Sequence, residues 1–294
     1  MSEKVFNEDF FKKLSKINMS INLKLSSGNQ GGRKSKAKGV SVEFSDYREY
    51  VKGDDFRRID WNAYGRFDKF FIKVFMEERE GVFNFFLDKS KSMDYGEENK
   101  KNTALKIIAA LSYIALNNLD RVNINLLSNG ESDNLKTIAG SKTFQKILLD
   151  LEKIEFDGST DLTTSIKKRN IKQRGVSVIV SDLLNNTGIK DLEEGLKYLA
   201  YKKQEIILVQ VLAKEEINPL FNNEITFIDS ETNENIKLSL TPALIKEYKN
   251  TLLNYQKSIE NMVKKYGGKF ISVNSSMEIE EIILGEFGKK RVLY

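Results

Sequence analysis

Apolar residues follow two alternating patterns from residue 82 onward. Five short, nearly continuous apolar runs predict buried strands at residues 82–87, 122–127, 176–180, 206–212 and 270–273. Helical spacing occurs at residues 101–117, 141–154, 189–203, 242–266 and 277–287, and a shorter, polar, β-like stretch covers 225–240. This alternation predicts an α/β fold with a doubly wound, mostly parallel sheet and helices on both faces. In such a fold we expect functional atoms at the carboxyl ends of the strands.

The region before residue 82 has a different pattern and an uneven charge. Residues 4–24 form an amphipathic segment with Phe6, Phe10, Phe11, Leu14 and Ile17 at helical spacing, and the Gly/Ser/Lys-rich stretch 26–39 predicts a flexible loop. Residues 1–40 carry nine Lys/Arg and three Asp/Glu, so the formal charge of +5 resides in this part of the chain. We therefore predict a basic N-terminal arm at 1–40, a distinct segment at 41–81 that packs on the domain, and an α/β domain at 82–294.

The chain of 294 residues contains no cysteine and no histidine. These absences exclude disulfides, thiolate chemistry, Ser-His-Asp nucleophiles and histidine-ligated zinc. A metal held by this chain must therefore be a hard cation with oxygen ligands.

Oxygen-bearing side chains follow two of the predicted strands. The first strand ends in Asp88, and Ser90 and Ser92 occupy alternating positions in the next turn; a later strand ends in Asp182. Between them a Gly-Ser-Thr-Asp turn supplies Thr160. Three loops at one edge of a sheet can thus surround a cation with two carboxylates and three hydroxyls. This ligand set suits Mg²⁺, with Mn²⁺ or Ca²⁺ as alternatives, and leaves a position for an acidic side chain of a partner.

The order D-x-S-x-S, then T, then D resembles the metal-ion-dependent adhesion site (MIDAS) of von Willebrand factor A domains. The resemblance implies a von Willebrand factor A-like fold, with Asp88, Ser90, Ser92, Thr160 and Asp182 as metal ligands. Thr163 and Thr164 lie just downstream of Thr160, but the Gly-Ser-Thr-Asp turn matches the family better.

The stretch 39–80, GVSVEFSDYREYVKGDDFRRIDWNAYGRFDKFFIKVFMEERE, resembles the hallmark of the bacterial proteins grouped as domain-of-unknown-function family 58. The matching elements are Glu43-Phe44, Asp46-Tyr47-Arg48, Tyr50, Gly53-Asp54-Asp55, Arg57-Arg58-Ile59-Asp60-Trp61, Arg66 and Glu77-Glu78-Arg79. This resemblance implies a MoxR-type AAA ATPase as partner. The opposite charges and aromatic residues of this segment either pair among themselves or form a docking surface. The candidate docking residues are Arg48, Asp55, Arg57, Arg58, Asp60 and Trp61.

Together these features predict a Mg²⁺-dependent protein-interaction module, an adaptor or chaperone-like partner of the ATPase, without enzymatic activity. One alternative is a phosphohydrolase-like enzyme using Asp88, although such enzymes resemble D-x-D and Ser90 replaces the second carboxylate. Another is nucleic-acid binding through the basic arm, which lacks interleaved aromatic residues between Lys24 and Gly39. No apolar run approaches the roughly 20 residues of a membrane span, and the N-terminus has no signal-peptide pattern, so we expect a cytoplasmic protein.

Overall fold

A computed structural model describes residues 5–27, 44–75, 81–129, 131–140, 143–184, 188–219, 225–228, 235–238 and 241–292. The chain forms two compact units, a larger one comprising Met1–Gly32 and Gly81–Tyr294 and a smaller one comprising Arg33–Glu80. The strands are β1 (Phe44–Glu49), β2 (Phe71–Phe75), β3 (Val82–Asp88), β4 (Arg121–Ser128), β5 (Glu131–Ala139), β6 (Gly175–Ser181), β7 (Gln204–Leu212), β8 (Ile225–Ile228), β9 (Asn235–Leu238) and β10 (Lys269–Asn274). The helices are α1 (Glu8–Ser27), α2 (Trp61–Phe67), α3 (Lys100–Asn117), α4 (Phe144–Glu152), α5 (Leu162–Lys167), α6 (Gly188–Tyr201), α7 (Lys214–Ile217) and α8 (Pro242–Lys265), followed by a π-helical segment at Glu281–Phe287.

The larger unit is built on a six-stranded sheet of order β10-β7-β6-β3-β4-β5. The first five strands in this order are parallel, and β5 is antiparallel to β4. All five strands predicted from the apolar runs are present, and the predicted doubly wound, mostly parallel α/β fold is confirmed. Of the six strands of this sheet, β5 is the one that the apolar pattern missed, because its sequence ESDNLKTIA is mostly polar. An edge strand paired on one side does not need the apolar character of a central strand.

Successive residues of the central strands supply two separate hydrophobic cores. Phe85 faces a core that also contains α3, α4 and the π-helical segment, whereas Phe86 faces a core formed with α5, α6 and α8. Both side chains are fully buried. Since side chains alternate across a strand, this division requires helices on both faces of the sheet, as predicted.

Helix α1 contributes its apolar face to the first of these cores. Phe6, Phe10, Leu14 and Ile17 are buried there in one cluster with Ile282 and its neighbours in the π-helical segment. At the helix surface, Lys13 Nζ lies 2.5 Å from a carboxylate oxygen of Glu278. The predicted amphipathic segment is therefore a helix, and it belongs to the larger unit. The Gly/Ser/Lys-rich stretch lies largely outside the described residues.

The smaller unit consists of the antiparallel pair β1 and β2 with helix α2 between them in sequence. Asp60 caps α2 by accepting hydrogen bonds from the backbone N–H groups of Asn62 and Ala63.

A further two-stranded antiparallel pair, β8 with β9, corresponds to the predicted polar β-like stretch. None of the helices in the described part of the chain is both long enough and apolar enough to cross a membrane.

Candidate metal centre

The loop after β3 carries the first three predicted ligands. Asp88 and Ser90 are buried, and Ser92 is half-buried. Asp88 Oδ1 accepts the Ser90 backbone N–H at 2.9 Å, which turns the loop back over the strand end. The hydroxyl oxygens of Ser90 and Ser92 are 3.0 Å apart, so the alternating positions do bring both hydroxyls together.

The Gly-Ser-Thr turn is joined to this loop by backbone hydrogen bonds. Lys91 N–H donates to Gly158 O at 2.8 Å, and Asp157 N–H donates to Lys89 O at 2.9 Å. Gly158 has a φ of +70°, a conformation that glycine adopts without a steric penalty. These bonds hold the second loop beside the first.

Thr160 is the threonine of this turn that faces Asp88. Its buried hydroxyl donates to Leu127 O at 3.2 Å, and its proximity lowers the pKa of the Asp88 carboxyl group. The Thr163 hydroxyl instead donates to the backbone carbonyl of Asp191 in α6, and Thr164 is exposed. Of the three neighbouring threonines, Thr160 is therefore the one that the structure brings to the strand ends.

Asp182 follows β6 and is buried beside the β3 loop. Its Oδ1 accepts the Leu184 N–H at 3.1 Å, and its backbone carbonyl accepts a hydrogen bond from Gln210 at 3.0 Å. The negative charge of Asp182 acts on Asp88: burial raises the pKa of Asp88, and Asp182 raises it further. The pKa of Asp88 stays above its usual value although Ser181, Ser90 and Thr160 lower it by hydrogen bonding.

Lys100 is a neighbour that the sequence did not predict. It is the first residue of α3, its side chain is 1% exposed, and its ammonium group lies 2.8 Å from Asp182 Oδ2 and 2.6 Å from Glu216 Oε1. Burial by itself lowers the pKa of Lys100, but Asp182 and Glu216 outweigh burial and raise it above its usual value. Burial also raises the pKa of Glu216, against the opposing effect of Lys100. A buried ammonium group thus bridges Asp182, which follows β6, and Glu216 in helix α7, which follows β7.

Sequence reasoning missed Lys100, Glu216 and Ser181, whose hydroxyl donates to Asp88 Oδ2 at 2.6 Å. A signal for Lys100 exists in the sequence: a lysine in the first turn of a helix opposes the helix dipole and needs a compensating anion. Ser181 interrupts an apolar strand immediately before Asp182, which also marks it as unusual. Glu216 carries no such signal, since it is one of several charged residues in a polar stretch.

The donors present fit a hard cation. Three loops bring two buried carboxylates, two serine hydroxyls and a threonine hydroxyl to one edge of the sheet. All the groups that donate to Asp88 in the hydrogen bonds described above are neutral. A cation beside Asp88 and Asp182 would relieve the repulsion that raises the pKa of Asp88. Among the described residues, no group of three or more His, Cys, Asp or Glu side chains is placed to hold a metal ion. The predicted set is of another kind, because only two of its five members are acidic.

The candidate docking residues of the smaller unit divide into two groups. Arg48 pairs with Asp54 at 2.8 Å, Asp55 caps a short 3₁₀ turn, and Asp60 caps α2 and accepts the Tyr47 hydroxyl at 2.9 Å. These contacts hold the segment together internally.

The other docking candidates are directed outward. Trp61 is 63% exposed and makes edge-on ring contacts with Tyr64 and Phe70. Arg57 lies over the ring of Phe56, which is also exposed. The side chain of Arg58, Glu43 and the stretch 77–79 lie outside the described residues.

A family model described as "Protein of unknown function DUF58" matches residues 46–258, which is most of the chain. The chain belongs to this family. The match includes most of the charged segment of the smaller unit and all five residues of the candidate metal centre.

Relatives of this DUF58 chain include uncharacterized proteins of Mycobacterium bovis and Mycobacterium tuberculosis. Each is 22% identical over 248 residues, which cover 82% of this chain and 77% of the relative.

Two solved structures are also similar to the DUF58 chain. BatB from Bacteroides thetaiotaomicron has a TM-score of 0.44 at 16% identity, covering 72% of this chain and 99% of that one. The von Willebrand factor A (VWA) domain of SpRpn10 has a TM-score of 0.40 at 12% identity, covering 70% and 94%.

Proposed function

We propose that this DUF58 protein is a Mg²⁺-dependent protein-interaction module that joins a MoxR-type AAA ATPase to a client protein. The observation that carries the proposal is the meeting of Asp88, Ser90, Ser92, Thr160 and Asp182 at one edge of the sheet, where two buried carboxylates repel each other. The ATPase enters this proposal as the partner implied by the resemblance of residues 39–80 to the family hallmark.

The side chains have separate roles in this proposal. Asp88, Ser90 and Ser92 would hold the ion or its waters, Thr160 would ligate it in the partner-bound state, and Asp182 would hold it through water or directly. A bound Mg²⁺ would offer an open coordination position to a carboxylate. Lys89 and the exposed Lys91, on the same loop, would attract an acidic client segment toward that position.

Asp88 has no catalytic role in this proposal. Both of its oxygens accept hydrogen bonds, from Ser90 N–H and the Ser181 hydroxyl, and the side chain is buried. The D-x-S order, with Ser90 in place of the second carboxylate of D-x-D, also departs from the phosphoryl-accepting pattern. Purified protein assayed with phosphate esters in Mg²⁺ should show no turnover. Turnover that Asp88→Asn abolishes would establish the phosphohydrolase alternative instead.

The exposed aromatic residues of the smaller unit form the ATPase-docking surface in this proposal. Trp61, Phe56 and Phe67 present large apolar groups to solvent, and Arg57 adds a planar cation. Aromatic residues and arginine contribute strongly to protein interfaces. Trp61→Ala should weaken capture of the ATPase, whereas Asp60→Ala should act through the stability of α2.

The proposal also places the protein in the cytoplasm, and cell fractionation tests this location.

Isothermal titration tests the metal site directly. Mg²⁺ or Mn²⁺ should bind at one site that Asp88→Ala removes. Asp157→Ala is the matched control: its side chain is exposed on the neighbouring loop, and the variant loses the same charge without losing a ligand. Equal affinity in Asp88→Ala and the wild type would refute the assignment.

Partner capture tests the bridging role of the ion. A client and the ATPase should co-purify with the full chain in Mg²⁺, and chelation should release the client. Identical capture in EDTA and in Mg²⁺ would refute the metal bridge, even if the titration showed a bound ion.

A further inference from the structure

Lys100 stands against the local preferences of its position. It begins the 18-residue helix α3, where the helix dipole disfavours a positive charge, and its side chain is almost completely buried. Buried lysines are rare unless they are paired. Such departures from local rules are expected at functional sites.

The contacts of the ammonium group explain how it is held there. It reaches Asp182 Oδ2 at 2.8 Å, Glu216 Oε1 at 2.6 Å and the ring of Tyr95, whose centroid is 5.6 Å away. Asp182 is one of the five predicted metal ligands, whereas Glu216 is not. The same ammonium group therefore contacts both the candidate metal centre and a carboxylate outside it.

Glu216 is itself anchored. Its Oε2 accepts the Ala213 N–H at 2.7 Å, and its backbone carbonyl accepts the Tyr248 hydroxyl of α8 at 2.6 Å. Glu216 can consequently retain the ammonium group when the contact with Asp182 is lost. Lysine can move in this way because its charge lies on a flexible four-carbon stem.

We propose that Lys100 is the counter-ion of Asp182 in the metal-free protein, and that its ammonium group shifts onto Glu216 when a divalent cation binds Asp182. The inference rests on the proposed metal site. Lys100 then opposes cation binding, and Glu216 favours it by offering the ammonium group a second position. Affinity for the ion is set by a residue outside the D-x-S-x-S, T and D ligand set.

Mg²⁺ titration of the full chain tests this with a matched pair of lysine variants. Lys100→Met keeps the length of the side chain and removes its charge, and it should bind Mg²⁺ about tenfold more tightly or better, because a competing charge at the shared carboxylate is gone. Lys101→Met removes a charge from the next residue, whose ammonium group pairs with the partly exposed Asp94. Its affinity should stay within about threefold of the wild type, since exposed charges are screened.

A merely structural role for Lys100 predicts the opposite sign. Loss of a buried ion pair would then loosen the loops and weaken Mg²⁺ binding. Wild-type protein that binds Mg²⁺, with Lys100→Met no tighter, would overturn the inference and leave the metal site standing. If Lys100→Met binds Mg²⁺ and the wild type does not, the inference is supported and the Mg²⁺ dependence of the natural protein is refuted. Absence of binding in both would overturn both.

Glu216→Gln keeps the inference testable should Lys100→Met not fold. With Glu216 neutral, Asp182 is the remaining carboxylate that pairs with Lys100. Because Lys100 then competes more strongly with the ion, Mg²⁺ affinity should fall by about threefold or more. Glu215→Gln is the control, because it removes the same charge from the adjacent residue, which does not contact Lys100 in the described ion pairs. Equal affinity in the two glutamine variants would overturn the inference.

Discussion

Burial of helix α1 leads to a sharp prediction about two adjacent phenylalanines. Phe10 is 2% exposed and lies in the core with Phe6, at a ring separation of 5.2 Å, whereas Phe11 is 41% exposed. Both can be replaced by alanine with the same loss of volume and at nearly the same place in the helix. Their different burial is therefore the variable that the comparison isolates.

Phe10→Ala should lower the free energy of unfolding by about 3–5 kcal/mol, the range for a buried phenylalanine whose cavity does not collapse. Phe11→Ala should cost about 1 kcal/mol or less, since it loses a ring contact with Phe10 at 5.8 Å and little buried area. For a unit of this size, 3–5 kcal/mol corresponds to a fall in melting temperature of about 6–20 °C.

Urea unfolding followed by circular dichroism measures the difference. The midpoint should fall strongly for Phe10→Ala with an unchanged slope, because the surface exposed on unfolding is nearly the same. Equal and small effects of the two substitutions would refute the reasoning, since α1 would then be a detached arm and not a part of the core.

Three further outcomes are expected. Mg²⁺ at about a hundredfold excess over its dissociation constant should stabilise the protein by about 2.7 kcal/mol, and Asp182→Asn or EDTA should abolish the resulting rise in melting temperature; melting curves that coincide in Mg²⁺ and EDTA would contradict a specific site. Asp60→Ala should lower the free energy of unfolding of the smaller unit by about 1 kcal/mol, because helix α2 loses its N-terminal cap. The amides of Asn62 and Ala63 should then exchange hydrogen faster, whereas Asp60→Asn should preserve their protection. Lys290 and Lys264 lower the pKa of Glu260 below its ordinary value of 4.5, so its carboxylate stabilises the fold above pH 4.5 and this contribution is lost as the pH falls through the lowered pKa. Glu260→Gln should therefore lower the free energy of unfolding by less than about 1 kcal/mol near neutral pH. An equal loss in strong acid would be inconsistent with this origin.

Much of the sheet was predictable because the central strands are buried on both faces. Such strands are nearly continuous apolar runs, and the ends of β3 and β6 are marked by the acidic residues Asp88 and Asp182. Because parallel strands end at one edge, the sequence could also indicate that these two side chains come together. Strand β5 could not be found in this way, since its single ladder partner and polar surface leave no apolar run.

The sequence by itself determined five of the six strands of the larger sheet and the oxygen-bearing side chains that follow two strand tips, because these depend on local periodicity and on chain direction. Only the tertiary structure decided how the charges at that edge are paired. Lys100 lies 82 residues from Asp182 and 116 residues from Glu216, and no local pattern links them. Their ion pair forms because the fold buries all three groups at one sheet edge, where an ammonium group without a carboxylate would be too costly to desolvate.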